Sequence, residues 1–353
     1  SKGALAETGA AMRSMLAAYF EELNTRGGIY SRKIELRVVE AGGDATATAA
    51  AVRALVRQGE VFAIVGGLGA GADNELAALA RAEEIPFIGP STLLPQAGSP
   101  PNRYVFYLLP GVAEQARALV EFAASRTELK KPRAFVVHPE GELPVAASAA
   151  VEEQAKKIGW EAVTKRSYSS TRFDAAALAR ALKSEGAEAV FFFGNGAEQA
   201  ALIREAAALA WTPHVFLLGV MSGGDLLQLV PVGFKQKIFL AFPSIPSDVT
   251  PEGLHEVRGL IERHKLTPRH VASQLSALAA AKTFVEGLTR AGADLSRERL
   301  VLSLEGLYDY RTGVTPPLIF GPNRRVGAAG AYVVTINPET KDYVTVSGWV
   351  KAN

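Results

Sequence analysis

The sequence predicts an α/β protein made of two doubly wound parallel-sheet lobes. Three observations predict it. Short apolar runs alternate with amphipathic helical segments along most of the chain. Most of those runs are apolar throughout, as strands buried on both faces require. At 353 residues the chain exceeds one ordinary core, and it suits two domains of roughly 100–200 residues each.

Helical spacing predicts helices over Gly9–Thr25, Ala45–Gln58, Ala72–Ala82, Ala113–Ser125, Ala146–Ile158, Ala175–Ser184 and Ala197–Ala210. Between them lie the strand-like runs IELRVV (34–39), VFAIVG (61–66), PFIGP (86–90), AFVVH (134–138), AVFFFG (189–194), VFLLG (215–219) and IFLAFP (238–243). Strand and helix in alternation imply parallel sheets with crossover helices. One series ends near residue 110 and a second runs from about 113 to 240. The pattern then changes to helices over Ser273–Ala291 and Arg297–Leu304. The tail reads as antiparallel strands, AYVVTI and YVTVSGWV, joined by a turn at Asn337–Thr340. Pro110-Gly111, Pro243-Ser244 and Gly321-Pro322 are candidate crossings between lobes.

Composition excludes several classes. A net charge of +2, with only the short basic stretches RSYSSTR and PNRRVG, gives no case for nucleic acid. There are no cysteines, so thiol catalysis, cysteine zinc sites and disulfides are ruled out. The five histidines form no HxH or HExxH pair. No GxSxG or P-loop occurs, and Glu83-Glu84 and Glu152-Glu153 read as solvated helix faces, so an enzyme is not expected. No metal or cofactor is expected either. No apolar run approaches the roughly 18–20 residues that span a membrane.

The stretch AYFEELNTRGGIYSRKIELRVVEAGGD resembles the leucine/isoleucine/valine-binding family of ABC-importer solute-binding proteins. Asn24, Gly27-Gly28, Arg32-Lys33, Ile34 and Asp44 stand where that family's first helix and second strand put them. IPFIGPST, SYSSTRFDAAALARALKSEGAEAVFFFG, LTRAGADLSRERLVLSLE and FGPNRRVGAAGAYVV extend the likeness over nearly the whole chain. The resemblance implies the type I periplasmic-binding fold, with a three-crossing hinge and a ligand held between the lobes by hinge closure. Lobe 1 is expected to comprise residues 1–111 and 244–320, and lobe 2 residues 112–243 and 321–353. The family's first short strand has no counterpart before Lys2-Gly3-Ala4, so the sequence is expected to start inside the domain. The resemblance implies export to the periplasm or tethering outside the membrane, with the signal lying outside this sequence.

The stretch IVGGLGAGADNELAALA sets four glycines between a strand and a helix, where backbone N–H groups can approach an anion. Gly67, Gly69 and Ala72 satisfy GxGxxA, but the next strand, PFIGPSTLL, offers no acid for a ribose, so a nucleotide is not expected. In the family this helix start helps receive a ligand carboxylate. Here serines are replaced by Gly69, Ala70, Gly71 and Ala72, while Ser91 and Thr92 remain and Leu93 follows.

In the second lobe, PEGELP replaces a frequent Tyr-Gly pair. Glu140 is a candidate there, against the plainer role of a solvated loop carboxylate. Met221 falls near the place of the acid that pairs with a ligand ammonium, and Asp225 lies a turn further on as a helix cap. Asn195, Ser222 and Gln274 are further polar candidates. Phe193 and Phe242 are aromatic ones that core packing explains equally well. A buried ammonium without a counter-charge costs roughly several kcal/mol. The expected ligand is therefore a small organic solute with a hydrophobic or aromatic body, a carboxylate and not a standard α-amino acid. The expected partners are that solute and a membrane permease, the protein itself being a monomer. The alternatives are a branched-chain amino acid binder of the same family and a ligand-sensing domain of a regulator or receptor.

Overall fold

The computed structural model describes residues 5–39, 44–69, 71–96, 98, 100–161 and 163–351. In chain order its main elements are α1 (Ala6–Thr25), α2 (Ala45–Arg57), β1 (Ile64–Val65), α3 (Asp73–Ala82), β2 (Phe87–Ile88) and β3 (Val105–Phe106). Next come α4 (Val112–Ser125), β4 (Ala134–Pro139), α5 (Glu142–Lys157), β5 (Thr164–Tyr168), α6 (Ala175–Ser184), β6 (Ala189–Phe192), α7 (Gly196–Ala208) and β7 (His214–Leu218). The chain ends with α8 (Leu226–Leu229), β8 (Ile238–Phe242), α9 (Pro251–Arg263), α10 (Val271–Ala291), α11 (Arg297–Glu305), β9 (Gly330–Asn337), β10 (Asp342–Thr345) and β11 (Val350–Lys351).

Helix starts follow the sequence chemistry. Asp44, Asp174, Asn195, Thr250 and Ser296 each accept a backbone N–H from the first turn of the helix they precede. The chain divides into two compact units, Ser1–Leu109 with Ile245–Ala328, and Pro110–Ser244 with Ala329–Asn353.

In the first unit, β1, β2 and β3 form a parallel sheet in that order. α10 lies directly against it. A Cβ on Gly89, just past β2, would stand 2.6 Å from Ala280 Cβ. Residues 321–328, expected in the second lobe, belong to this unit. Tyr107 N–H donates to Arg325 C=O (2.8 Å), and Gly327 and Ala328 donate back to Tyr107 and Leu108. The third passage between units therefore falls at Ala328-Ala329, not at Gly321-Pro322. A second correction concerns IELRVV. Residues 34–39 form no strand, because no described strand lies beside them to pair with.

The second unit has one sheet in the order β10-β9-β8-β7-β6-β4-β5, with β11 also on β9. β4 to β8 are parallel, and β9 to β11 are antiparallel additions. Its parallel strands are almost wholly buried, except β5, whose residues TKRSY form an edge. Alternation splits the core. Phe135, Val137, Val190, Phe192, Val215 and Leu217 face one side. Phe191, Phe216 and Phe239 stack on the other, with centroids 4.7 and 5.4 Å apart.

Candidate functional site

In open parallel sheets, ligands meet the chain beyond the carboxyl ends of strands. In the first unit, the stretch after β1 turns on Gly66 (φ +65°) and Gly67 (φ +105°), a conformation that favours glycine. This brings it beside the stretch after β2. Leu68 and Ser91 form a parallel bridge, and Ser91 N–H donates to Gly67 C=O (2.9 Å). Gly69 C=O then accepts from Ala72 N–H (2.9 Å) and α3 begins. Gly69, Gly71, Ser91 and Thr92 are thus drawn into one loop pair, while Ala70 lies outside the described residues.

The acid at this turn could not be anticipated from the glycine pattern. A Cβ on Gly69 would lie 2.4 Å from Asp73 Oδ1, so the Asp73 carboxylate already rests on the start of α3. A second anion there would meet like charge. Ala72 is fully buried, Ser91 and Thr92 are half-buried, and Leu93 is exposed. Thr92 Oγ1 accepts from Leu94 N–H (3.1 Å). Gln274 is buried in the first turn of α10, where its Nε2 donates to Thr267 C=O (3.0 Å) and its Oε1 has no partner among the described residues.

In the second unit the loops after β6 and β7 touch. A Cβ on Gly196 would come 2.3 Å from Gly223 N. Asn195 caps α7: its Oδ1 accepts from Glu198 N–H (3.1 Å), while Glu198 Oε2 accepts from Asn195 N–H (2.8 Å). Tyr168 Oη donates to the same Glu198 oxygen (3.0 Å). Burial and that carboxylate push the Tyr168 hydroxyl well above its ordinary pKa. Gln199 Nε2 donates to Gly194 C=O (2.8 Å), and Ser222 Oγ donates to Gln199 Oε1 (2.8 Å). Gln199 N–H donates to Asn195 C=O (2.9 Å), so Asn195 and Ser222 belong to one network that also contains Tyr168, Glu198 and Gln199. The Asn-x-x-Glu spacing at 195–198 is its one sequence signal.

Met221 ends a short turn after β7 and is half-buried. Phe242, at the end of β8, lies over Gly219, where a Cβ would stand 2.4 Å from its ring, and meets Tyr343 edge-on at 5.6 Å. Glu140 is exposed, and its N–H donates to Tyr168 C=O (3.0 Å). Phe193 is fully buried, a core residue with no open face for a solute.

A family model described as periplasmic binding protein matches residues 1–342. The chain belongs to that family. No curated protein matches the chain. Among solved structures, the fold is similar to a putative branched-chain amino acid ABC transporter from Rhodospirillum rubrum. That pair shares 15% identity, covers 98% of this chain and 97% of the other, and has a TM-score of 0.78. A branched chain amino acid ABC transporter from Thermus thermophilus with bound valine gives 18% identity, 99% and 94% coverage, and a TM-score of 0.72. A fatty acid ABC transporter substrate-binding protein from Thermomonospora curvata gives 20%, 98% and 89%, and 0.70. The fold of this periplasmic binding protein is thus the type I periplasmic-binding fold, as the sequence resemblance implies. Among its described residues no helix is long and apolar enough to cross a membrane.

Proposed function

We propose that the chain is the solute-binding component of an ABC importer and works outside the cytoplasmic membrane without catalysis. It captures a small organic solute with a hydrophobic or aromatic body and passes it to a membrane permease. The solute carries a carboxylate and needs no ammonium. One observation carries this reading: half-buried Met221, on the turn after β7, falls near the place where the family resemblance expects an acid that pairs with a ligand ammonium. The carboxylate within the polar network, Glu198, is already engaged by Tyr168 and the Asn195 backbone. Met adapts to apolar ligand bodies, and solute pockets are mostly apolar with few orienting polar groups. Ser91, Thr92 and Ser222 are the polar groups of choice. The likeness to a fatty acid transporter's binding protein agrees with an apolar solute.

A second reading, a branched-chain amino acid, is favoured by Asp73. Its carboxylate at the Gly69 turn is a counter-charge for an ammonium.

A thermal-shift panel on refolded, ligand-stripped protein separates the two readings. It sets leucine and valine against benzoate, phenylpyruvate and short branched keto acids. A ligand at about 100 times its Kd adds about 2.7 kcal/mol, read as a rise of a few degrees. Stabilisation by amine-free acids alone supports the first reading. Stabilisation by leucine or valine overturns it in favour of the second.

A further inference from the structure

Asn195 stands on the loop after β6 and Ser222 on the loop after β7. Each immediately precedes a glycine of the contact between those loops, where a Cβ on Gly196 would come 2.7 Å from Gly223 Cα. Asn195 is exposed and Ser222 half-buried. The two side chains therefore flank one spot beyond the carboxyl ends of β6 and β7. The hydrogen-bonding sense of each is fixed by its neighbours.

Asn195 Oδ1 accepts from Glu198 N–H (3.1 Å). The reverse amide orientation would set N–H against N–H, so Nδ2 and its two hydrogens point away from that group. No described residue accepts from them. On the other loop, Gln199 Nε2 donates to Gly194 C=O, so its Oε1 faces Ser222 and can only accept. Ser222 Oγ also lies 3.1 Å from Leu218 C=O, another acceptor. Whichever of the two it serves, the one Ser222 hydrogen is spent, and the oxygen can only accept from outside. The two loops thus offer one donor group and one acceptor.

We infer that this pair receives a hydroxyl of the solute, remote from its carboxylate, so that the substrate class is a hydroxylated acid with an apolar or aromatic body. The inference rests on the solute-binding reading above and narrows it. The alternatives answer only one of the two partners. A carboxylate would meet the Glu198 carboxylate at the start of α7 and has no hydrogen for Ser222. An ammonium would set its N–H groups against those of Asn195. A keto or ether oxygen accepts from Asn195 and leaves Ser222 unanswered. A hydroxyl gives its hydrogen to Ser222 Oγ and accepts from Asn195 Nδ2 through a single atom, which suits two loops in contact. A carboxamide would need two atoms for the same task. Met221, adjacent to Ser222 on the turn after β7, then carries the apolar body.

Titration calorimetry on refolded, ligand-stripped protein compares pairs that differ by one hydroxyl: benzoate with 4-hydroxybenzoate, phenylpyruvate with 4-hydroxyphenylpyruvate, and phenylalanine with tyrosine. 4-Fluorobenzoate fills similar space without a hydrogen to donate. The hydroxylated member should bind about tenfold or more tightly, with 4-fluorobenzoate grouping with benzoate. Asn195→Ser keeps a helix cap and withdraws the amide hydrogens. Ser222→Ala withdraws the acceptor. Each should cut the ratio within a pair to about twofold or less. Should Ser222→Ala fail to fold with Gln199 left unpaired, Asn195→Ser alone decides. Equal binding within every pair overturns the inference, and so does a preference that survives Asn195→Ser. Absence of binding by all three hydroxylated members overturns it too. A preference for tyrosine over phenylalanine, with no binding of either acid pair, upholds the hydroxyl and overturns the amine-free reading. Tight and equal binding of both members of each acid pair upholds that reading and overturns the hydroxyl.

Discussion

Arg325 and Glu305 form a buried ion pair in the first unit, with side chains only 1% and 9% exposed. The guanidinium also donates to Gly321 C=O (2.7 Å) and Asn102 C=O (3.3 Å) and lies 4.7 Å from the centre of the Phe106 ring. One residue of the FGPNRRVG stretch thereby ties α11, β3 and residues 321–328 together. This explains why that segment stays with the first unit.

Arg325→Met should leave Glu305 buried without its main partner. Removing one member of a buried pair costs about 3–5 kcal/mol. Urea unfolding of the variant should show a loss of that size with an unchanged m-value. A loss below about 1 kcal/mol would mean that Arg103, 3.7 Å from Glu305, takes over the charge.

What the sequence made legible follows from where each signal arises. Apolar runs such as AVFFFG and VFLLG announced buried strands because both their faces are covered. β5 left no such trace, since TKRSY is an exposed edge whose polarity reads as a loop. IELRVV has a strand's composition but no strand partner among the described residues, and pairing is not a property of the run itself. α9 is readable from Thr250-Pro251, an N-cap followed by proline at the first helical position, although most of its residues are polar and it buries only a narrow face around Val257 and Leu260. The loop candidates Ser91, Asn195, Ser222 and Met221 could be placed from strand ends. Asp73 over Gly69 and Tyr168 on Glu198 depend on folding-back that spacing does not encode.

His214 gives the stability a defined pH dependence. The ring is buried, stacks on Phe239 at 6.2 Å and has Lys237 Nζ 3.2 Å from Nε2, with Glu128 3.7 Å away. Burial, then the Lys237 and Arg126 charges, pull its pKa down to about 4. The unfolded chain therefore binds the proton first as pH falls. The stabilisation from neutral His214 is complete above about 6.5 and is lost as pH drops toward about 4. Between pH 7 and pH 4 the parent should lose on the order of 2 kcal/mol more than His214→Gln. Parallel curves for the two proteins would show that folding does not shift the His214 pKa.

Gly89→Ala should be costly for two separable reasons. Gly89 has φ +68°, and its new Cβ would stand 2.6 Å from Ala280 Cβ. Backbone strain and overpacking together suggest a loss of about 2–4 kcal/mol. Gly89→Ala with Ala280→Gly removes the closest contact, leaves Leu108 Cδ1 at 3.2 Å and keeps the strain, so the double variant should recover part of the loss beyond additivity. Strict additivity in urea melts would mean that α10 moves away without cost.

Met221→Asp tests the ligand chemistry directly. Met221 is half-buried after β7, on the turn that precedes Ser222. A carboxylate there restores a counter-charge for an ammonium and repels a carboxylate at the same position. If the solute lacks an ammonium and its apolar body rests on Met221, the variant should lose the thermal stabilisation given by amine-free acids and gain one from leucine or valine. A change of about tenfold in either Kd corresponds to about 1.4 kcal/mol, within reach of titration calorimetry. Because Met221 is not fully buried, the exchange should leave the unfolding midpoint within about 1 kcal/mol of the parent, so a change in binding is not a folding effect. Unchanged affinity for both classes would place Met221 outside the solute's reach. Recognition would then rest on the Gly69–Ser91 turn and Asp73.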